Sequence, residues 1–235
     1  MDPKNFSIQE MVNKAIANEN SKRVKKEQTS WHPSGLGGCL TSVYLERLGF
    51  APIEQLDERT LRVFSVGNQM ESWLTGLLKQ EYPDIEQQVR IEIPEYNVTG
   101  YADLVVNFPD KTKRLYEIKT QHSKSFHWMN KRGDANQHHR EQVWLYLKAL
   151  NLEYGTIIYL SKDDLCIQEY GVRLDDEMLR DSVLQQLEIL NKSWRDKVPP
   201  PCITNKDDWR YKYCRLHSIC LDTIKNPKNY AQKRI

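Results

Sequence analysis

The sequence predicts an α/β fold: a mixed central β-sheet flanked by helices, followed by a C-terminal cysteine-bearing extension. Three observations predict it. Apolar residues recur at helical intervals up to residue 82, the period shortens to two between 87 and 120, and the order then runs helix, two strands, helix. A chain of 235 residues with 39% hydrophobic content suffices for one well-packed domain with small appendages. Residues 1–198 are expected to form the core with its N-terminal helices. Residues 199–235 form the extension, expected to pack on the N-terminal region.

The elements follow in order. Residues 5–20 carry Phe6, Ile8, Met11, Val12, Ala15 and Ile16 at helical spacing, and the basic segment 21–30 reads as a loop or frayed helix end. HPSGLGGC (32–39) is Pro/Gly punctuation before a short helix at 40–48. From 57 to 82, Leu61, Phe64, Met70, Leu74, Leu77 and Leu78 predict a long helix. QQVRIEIP (87–94) alternates, as do VTGYADLVVNF (98–108) and RLYEIKT (114–120). The turn-rich FPDKTK pairs the last two as an antiparallel hairpin. Residues 121–135 read as polar and irregular, 135–151 as a helix, and 156–161 and 165–172 as a strand pair. Residues 175–195 form an amphipathic helix capped by Asp175 or Asp176 and ended by VPPPC.

Charge and hydropathy exclude some functions. Lys and Arg total 34 against 32 Asp and Glu, a net charge of +2, so any surface for nucleic acid must be local. No run of about 18 apolar residues exists to span a membrane, and the polar N-terminus lacks the apolar stretch of a secretion signal. The expected location is the cytoplasm, where structural disulfides are rare.

The carboxylates carry the chemistry. Strand alternation turns Glu117 and Lys119 one way and Tyr116 and Ile118 the other. On the partner strand Ala102, Leu104 and Val106 share one face, and Asp103 and Tyr101 the other. Pairing around 109–112 brings Asp103 beside Glu117. Two adjacent carboxylates repel unless a cation joins them, and hard oxygen ligands suit Mg2+ or Mn2+. On the long helix, positions 64, 67, 71, 74 and 78 form one stripe, in which Glu71 interrupts an apolar face and Gly67 leaves room beside it. Gln142 and Tyr146 stand four apart on one face of a later helix. Taken singly, Glu117 and Lys119 also read as a strand-face ion pair, and Gln142 and Tyr146 as ordinary packing.

Residues 119–140 hold Lys119, Lys124, Lys131, Arg132 and Arg140 against one acid, Asp134, with Phe126 and Trp128 interleaved. This reads as a phosphate-tracking loop with stacking rings, to which SKRVKK (21–26) and the tail lysines add. Of five cysteines, Cys166 sits inside a strand and reads as packing. Cys202, Cys214 and Cys220 with His217 satisfy a zinc pattern, and burial of the thiols without metal is the other reading.

GNQMESW around Glu71, GYAD ending at Asp103, EIK at 117–119 and QVWLY at 142–146 together resemble the PD-(D/E)XK nuclease superfamily. The likeness is to its RecB-type exonuclease branch, with the CRISPR-associated RecB-like nucleases and phage exonucleases. It covers about residues 34–172. Glu71 stands where many relatives carry histidine. The resemblance implies a restriction-endonuclease-like core and an Mg2+- or Mn2+-dependent deoxyribonuclease. The metal would lie on Glu71, Asp103, Glu117 and the Ile118 backbone carbonyl. Lys119 would orient or deprotonate the attacking water, or stabilise the transition state. Gln142 and Tyr146 would position the DNA strand or the lysine. The branch often carries a 4Fe–4S cluster, which Cys39, Cys214 and Cys220 would ligate with Cys202 as the fourth, since Tyr211 occupies the usual position of another cysteine. The implied partner is DNA, single-stranded or at free ends, gripped by Lys124, Trp128, Lys131, Arg132 and Arg140. A non-cleaving DNA-binding or scaffold protein and a site-specific endonuclease remain alternatives.

Overall fold

A computed structural model describes residues 7–22, 28–50 and 56–225, with side chains as far as 222. Helix α1 (Ile8–Ser21) precedes a 3-10 turn (Pro33–Gly35), α2 (Leu40–Arg47) and the long α3 (Glu58–Glu81). Strands β1 (Ile85–Ile93), β2 (Val98–Asn107) and β3 (Lys113–Gln121) follow. Then come α4 (Ser123–Arg132), α5 (Gln137–Leu150), β4 (Tyr154–Ser161), β5 (Ile167–Arg173), α6 (Glu177–Asp196), α7 (Trp209–Lys212) and α8 (His217–Lys225). The sheet order is β1-β2-β3-β4-β5, antiparallel throughout except between β3 and β4. That parallel pair requires a crossover, and α4 and α5 supply it.

Helix ends follow local chemistry. Asp57 caps α3 by accepting from the Thr60 N–H at 2.6 Å, and Asp176 rather than Asp175 caps α6 through the Leu179 N–H at 3.0 Å. The segment read as an irregular loop contains α4. Only Phe126 and Met129 of this helix are buried, so its apolar signal is two residues long; Gly133, at φ 77°, ends it.

Two clusters cover the two faces of the sheet. The larger gathers Val143, Trp144 and Leu147 of α5 and Leu179, Val183, Leu187 and Leu190 of α6 against Leu115, Ile157 and Tyr159. The smaller sets Leu74 of α3 on Ile85, Leu104, Val106, Ile118 and Ile158. Strict alternation fails at one place. Val89 and Ala102 pack in the larger cluster, but Ile85, Leu104 and Val106 pack in the smaller. Gln88, at φ 49°, and Asp103 stand opposite each other at the change, so Ala102 does not share a face with Leu104. Phe64, expected on the apolar stripe of α3, is half exposed; the buried residues there are Leu61, Gly67, Leu74 and Thr75.

The segment before the 3-10 turn is fixed to the sheet. Trp31 bridges Val98 and donates its indole N–H to Asn191 at 2.8 Å. Arg47, buried, places its guanidinium 4.2 Å from the Trp31 ring centre and 4.0 Å from that of Trp194, and donates to the Thr29 carbonyl. A desolvated cation–π contact contributes about 2 kcal/mol, and an orphaned buried carbonyl costs about another. Arg47→Met is therefore expected to lower unfolding free energy by about 3 kcal/mol in urea titrations. A change under about 0.5 kcal/mol would show that the sandwich carries no stability.

Candidate active site

The hairpin opens where the two acids meet. β2 and β3 pair from Asn107↔Lys113 to Leu104↔Tyr116 and no farther, while β3 continues along β4 to Gln121↔Ser161. At the parting, Asp103 Oδ2 accepts the Ile118 N–H at 2.9 Å, taking the place of a strand partner. Gln88 Nε2 donates to its other oxygen at 3.4 Å. Glu117 lies against Asp103, 2% exposed, on the face that α5 covers.

A cleft of about 310 Å3 forms at this fork. Glu71, Asp103, Glu117, Ile118, Lys119, Gln142 and Tyr146 all line it, so the structure brings every residue of the expected centre to one place. Glu71 arrives there through close helix packing. A Cβ on Gly67 would lie 2.9 Å from Thr120 Oγ1, so only glycine lets α3 approach the end of β3 so closely. Lys162 fixes the approach by donating to the Val63 carbonyl at 2.8 Å. Glu71, one turn on, is half-buried, and burial and the charge of Asp103 raise its pKa.

Lys119 Nζ donates to Glu117 Oε1 at 2.7 Å and to Gln142 Oε1 at 3.1 Å. The Gln142 amide donates to the same Glu117 oxygen at 2.8 Å and to the Tyr146 hydroxyl at 2.9 Å. Gln142 thus clamps acid and ammonium together, and Tyr146 acts on them through Gln142. Burial, with the charge of Glu117, raises the pKa of Tyr146, which stays a neutral phenol. Burial also pushes Glu117 up to about 8, against the pull of Lys119 and with a further push from Asp103. Desolvation therefore outweighs the ion pair.

Among the described residues, Glu117 Oε2 is buried with no hydrogen-bond partner. A buried orphan oxygen beside Asp103, with Glu71 lining the same cleft, is a donor set suited to a hard divalent cation. The side chains do not yet close on one point: among the described residues, no three or more His, Cys, Asp or Glu groups stand as a metal-holding set.

The 3-10 turn roofs the cleft with His32, Pro33 and Ser34, residues that sequence reasoning missed. Their only signal was the punctuation HPSG. Burial lowers the pKa of His32, so its ring is neutral near pH 7.

Of the residues expected to grip DNA, Lys124, Trp128, Lys131 and Arg132 sit on α4 at i, i+4, i+7 and i+8, one helix face, all exposed. Arg140 differs. Its guanidinium bridges Asp134 at 3.1 Å and Asp176 at 3.0 Å, fastening α5 to the start of α6, and is not free for a phosphate. Residues 23–26 of the basic segment and the tail lysines beyond 225 lie outside the described residues, as does Phe6.

The cysteines form two pairs. Cys202 and Cys220 are joined in a disulfide, contrary to the expectation of reduced thiols, and Cys39 hydrogen-bonds Cys214. That hydrogen bond holds Cys39 down to about 5 and raises Cys214. Both pairs lie on the seam where the tail meets α2: Thr41 donates to the Pro200 and Pro201 carbonyls, and Leu216 and Cys220 join the larger cluster. With one pair oxidised, two thiols do not complete a four-thiolate shell, so an iron–sulfur cluster does not fit this state of the tail. A zinc set fails for the same reason. Cys166, read as strand packing, is exposed in the turn before β5.

No family model matches the chain. A curated relative, the CRISPR-associated exonuclease Cas4 of Saccharolobus solfataricus, is 23% identical over 153 residues. The match spans 64% of this chain and 66% of that protein, just under two thirds of its length. The crystal structure of SSO0001 superposes with a TM-score of 0.58 at 22% identity, covering 92% of this chain and 96% of that one. The chain shares its fold with that protein. An alkaline exonuclease from Laribacter hongkongensis, LHK-Exo, shares the fold at a TM-score of 0.55 and 12% identity, over 73% of this chain and 90% of that one. Its complex with dAMP gives 0.56 at 14%. In this chain the fork between β2 and β3 opens the cleft and α5 supplies the clamp.

Proposed function

We propose that this chain is a DNA nuclease, an exonuclease acting at free ends or on single strands, inside the cell that makes it. The observation that carries the reading is the buried Glu117 carboxyl beside Asp103, one oxygen held by the Lys119 ammonium and the other without a hydrogen-bond partner among the described residues. The relatives named above as exonucleases support it. Mg2+ or Mn2+ would be held by Glu71, Asp103, Glu117 and the Ile118 carbonyl. When bound, the cation neutralises phosphate charge and lowers the pKa of water.

The remaining work falls to side chains. Lys119 has three N–H donors, of which Glu117 and Gln142 take two. The third reaches a phosphate oxygen or the attacking water, placing positive charge where negative charge grows. Gln142 fixes that direction, and the neutral Tyr146 fixes Gln142. Asp103, tied to the Ile118 N–H, keeps the fork from closing. A 4Fe–4S cluster belongs to this proposal only with Cys202 and Cys220 reduced to join Cys39 and Cys214.

End-labelled single- and double-stranded DNA and a closed circle, incubated with Mg2+, Mn2+ or chelator, test the function. The linear substrates are expected to shorten from their ends with either cation and to persist in chelator. Cleavage in chelator would overturn the metal assignment, cutting of the circle would indicate an endonuclease, and inert substrates would leave a DNA-binding scaffold.

A further inference from the structure

A second cleft, of about 770 Å3, lies on the other side of the 3-10 turn from the carboxylates. Its walls come from parts of the chain far apart in sequence. Trp128 and Arg132 stand on α4, His138 near the start of α5, and Trp209 and Arg210 on α7 of the tail. The two tryptophans are 62% and 49% exposed, and no element among the described residues covers them. Each has a polar or charged neighbour in place. The Arg132 guanidinium lies 5.1 Å from the Trp128 ring centre, and the His138 ring lies 5.6 Å from that of Trp209 at 36°.

We propose that this cleft takes the unpaired bases of a single-stranded DNA segment, stacked on Trp128 and Trp209, on their way to the carboxylate cleft. The identity of the strand rests on the nuclease reading; the base-stacking chemistry does not. Exposed flat rings from two elements lining one cleft suit π-faces, and in a duplex those faces are already stacked on each other. The floor agrees. Glu141 is buried there, its two oxygens accepting from Gln137, Ser182 and Gln186. The acid disfavours phosphate at the floor, while Arg132 and Arg210 on the walls attract it, so bases lie toward the floor and the backbone along the rim. Lys124 and Lys131, exposed on the same face of α4 as Trp128, meet it there.

The route between the clefts is short. His138 lies four residues before Gln142 on α5, and the charge of Lys119 reaches it. The ridge between them is the chain just after the 3-10 turn, seated directly on α5. A Cβ on Gly37 would fall 2.4 Å from His138 Cβ, and Gly37 has φ 75°, so the ridge is as low as backbone allows. This gives the tail a part in substrate choice.

Binding in chelator separates this proposal from the cleavage reading. Fluorescein-labelled single-stranded oligodeoxynucleotide and its duplex would be titrated with the full chain and followed by anisotropy. Trp128→Ala and Trp209→Ala are each expected to weaken single-strand binding about tenfold and duplex binding far less, while Trp128→Phe and Trp209→Phe retain most of it. Both rings are exposed, so the substitutions leave the core intact. Unchanged single-strand binding in either alanine variant, parallel losses on single strand and duplex, or a wild type that does not bind the single strand would each overturn the proposal. A chain that binds through these rings yet cuts nothing would keep it and remove the nuclease reading.

Discussion

Glu117→Gln is expected to abolish DNA cleavage and, in chelator at pH 8, to make the protein more stable. Both effects come from one buried oxygen. Glu117 is 2% exposed, and its Oε2 has no hydrogen-bond partner among the described residues. The carboxylate is the form that holds a cation, and the amide of glutamine is a neutral, weaker ligand. Loss of a site that stabilises developing charge on phosphate lowers the rate about a thousandfold or more. Without a cation the same carboxylate is a burden. Its folded pKa is raised to about 8, from 4.5, chiefly by desolvation. Between those values the folded state keeps a proton that the unfolded chain has released. The unfolded state binds fewer protons, so the stability of the metal-free protein falls as pH rises from about 4.5 to about 8. Each pH unit inside the window changes stability by about 1.4 kcal/mol at most, a few kcal/mol in all.

Thermal melts in chelator at pH 5 and pH 8 read this directly. The wild type is expected to lose melting temperature over that interval and Glu117→Gln to lose much less. Restoring Mg2+ or Mn2+ raises the wild-type transition, because a ligand that binds only the folded state stabilises it, and leaves the variant where it was. Equal pH slopes in the two proteins would show that Glu117 is not held protonated. A cation shift of equal size in both would remove it from the metal site.

The sequence and the structure agree at the catalytic strand and its hairpin, where alternation runs unbroken. The alternation in EIK turned Glu117 and Lys119 together, and FPDKTK closed the hairpin that sets Asp103 beside them. Gly67 beside Glu71 was legible as space on the helix. What that space receives, Thr120 Oγ1, depends on a strand about fifty residues away. The same distance limit hid α4, whose buried face is two residues wide, and the roof residue His32, which reaches the cleft because Trp31 is tied to Val98. The exchange of faces between Ala102 and Leu104 was not legible either. It depends on the backbone of Gln88 on the neighbouring strand, and φ there is not written in the residues of β2. Arg140 looked like its basic neighbours, and only the fold supplied Asp134 and Asp176.

Lys119→Met is expected to lower cleavage by about a hundredfold to ten-thousandfold while DNA binding in chelator changes little. Among the described residues the ammonium has two partners, Glu117 Oε1 and Gln142 Oε1, which leaves one N–H donor, and Lys119 lines the cleft. Methionine fills the aliphatic space and removes the charge. Lys119→Arg is not expected to restore activity: a planar fork does not reproduce the tetrahedral directions that reach Glu117, Gln142 and the cleft at once. Stability gives an independent reading. Removing the ammonium leaves the buried acid beside Asp103 with no cation, so Lys119→Met costs stability at pH 8 in chelator. In a Glu117→Gln background that penalty largely disappears, since there is no buried charge left to orphan. A double-mutant cycle on melting in chelator therefore gives a coupling of about 1–3 kcal/mol between residues 117 and 119. Additive losses in the cycle would mean that the 2.7 Å contact is a surface-like ion pair, and that the lysine acts on the substrate without being positioned by the acid.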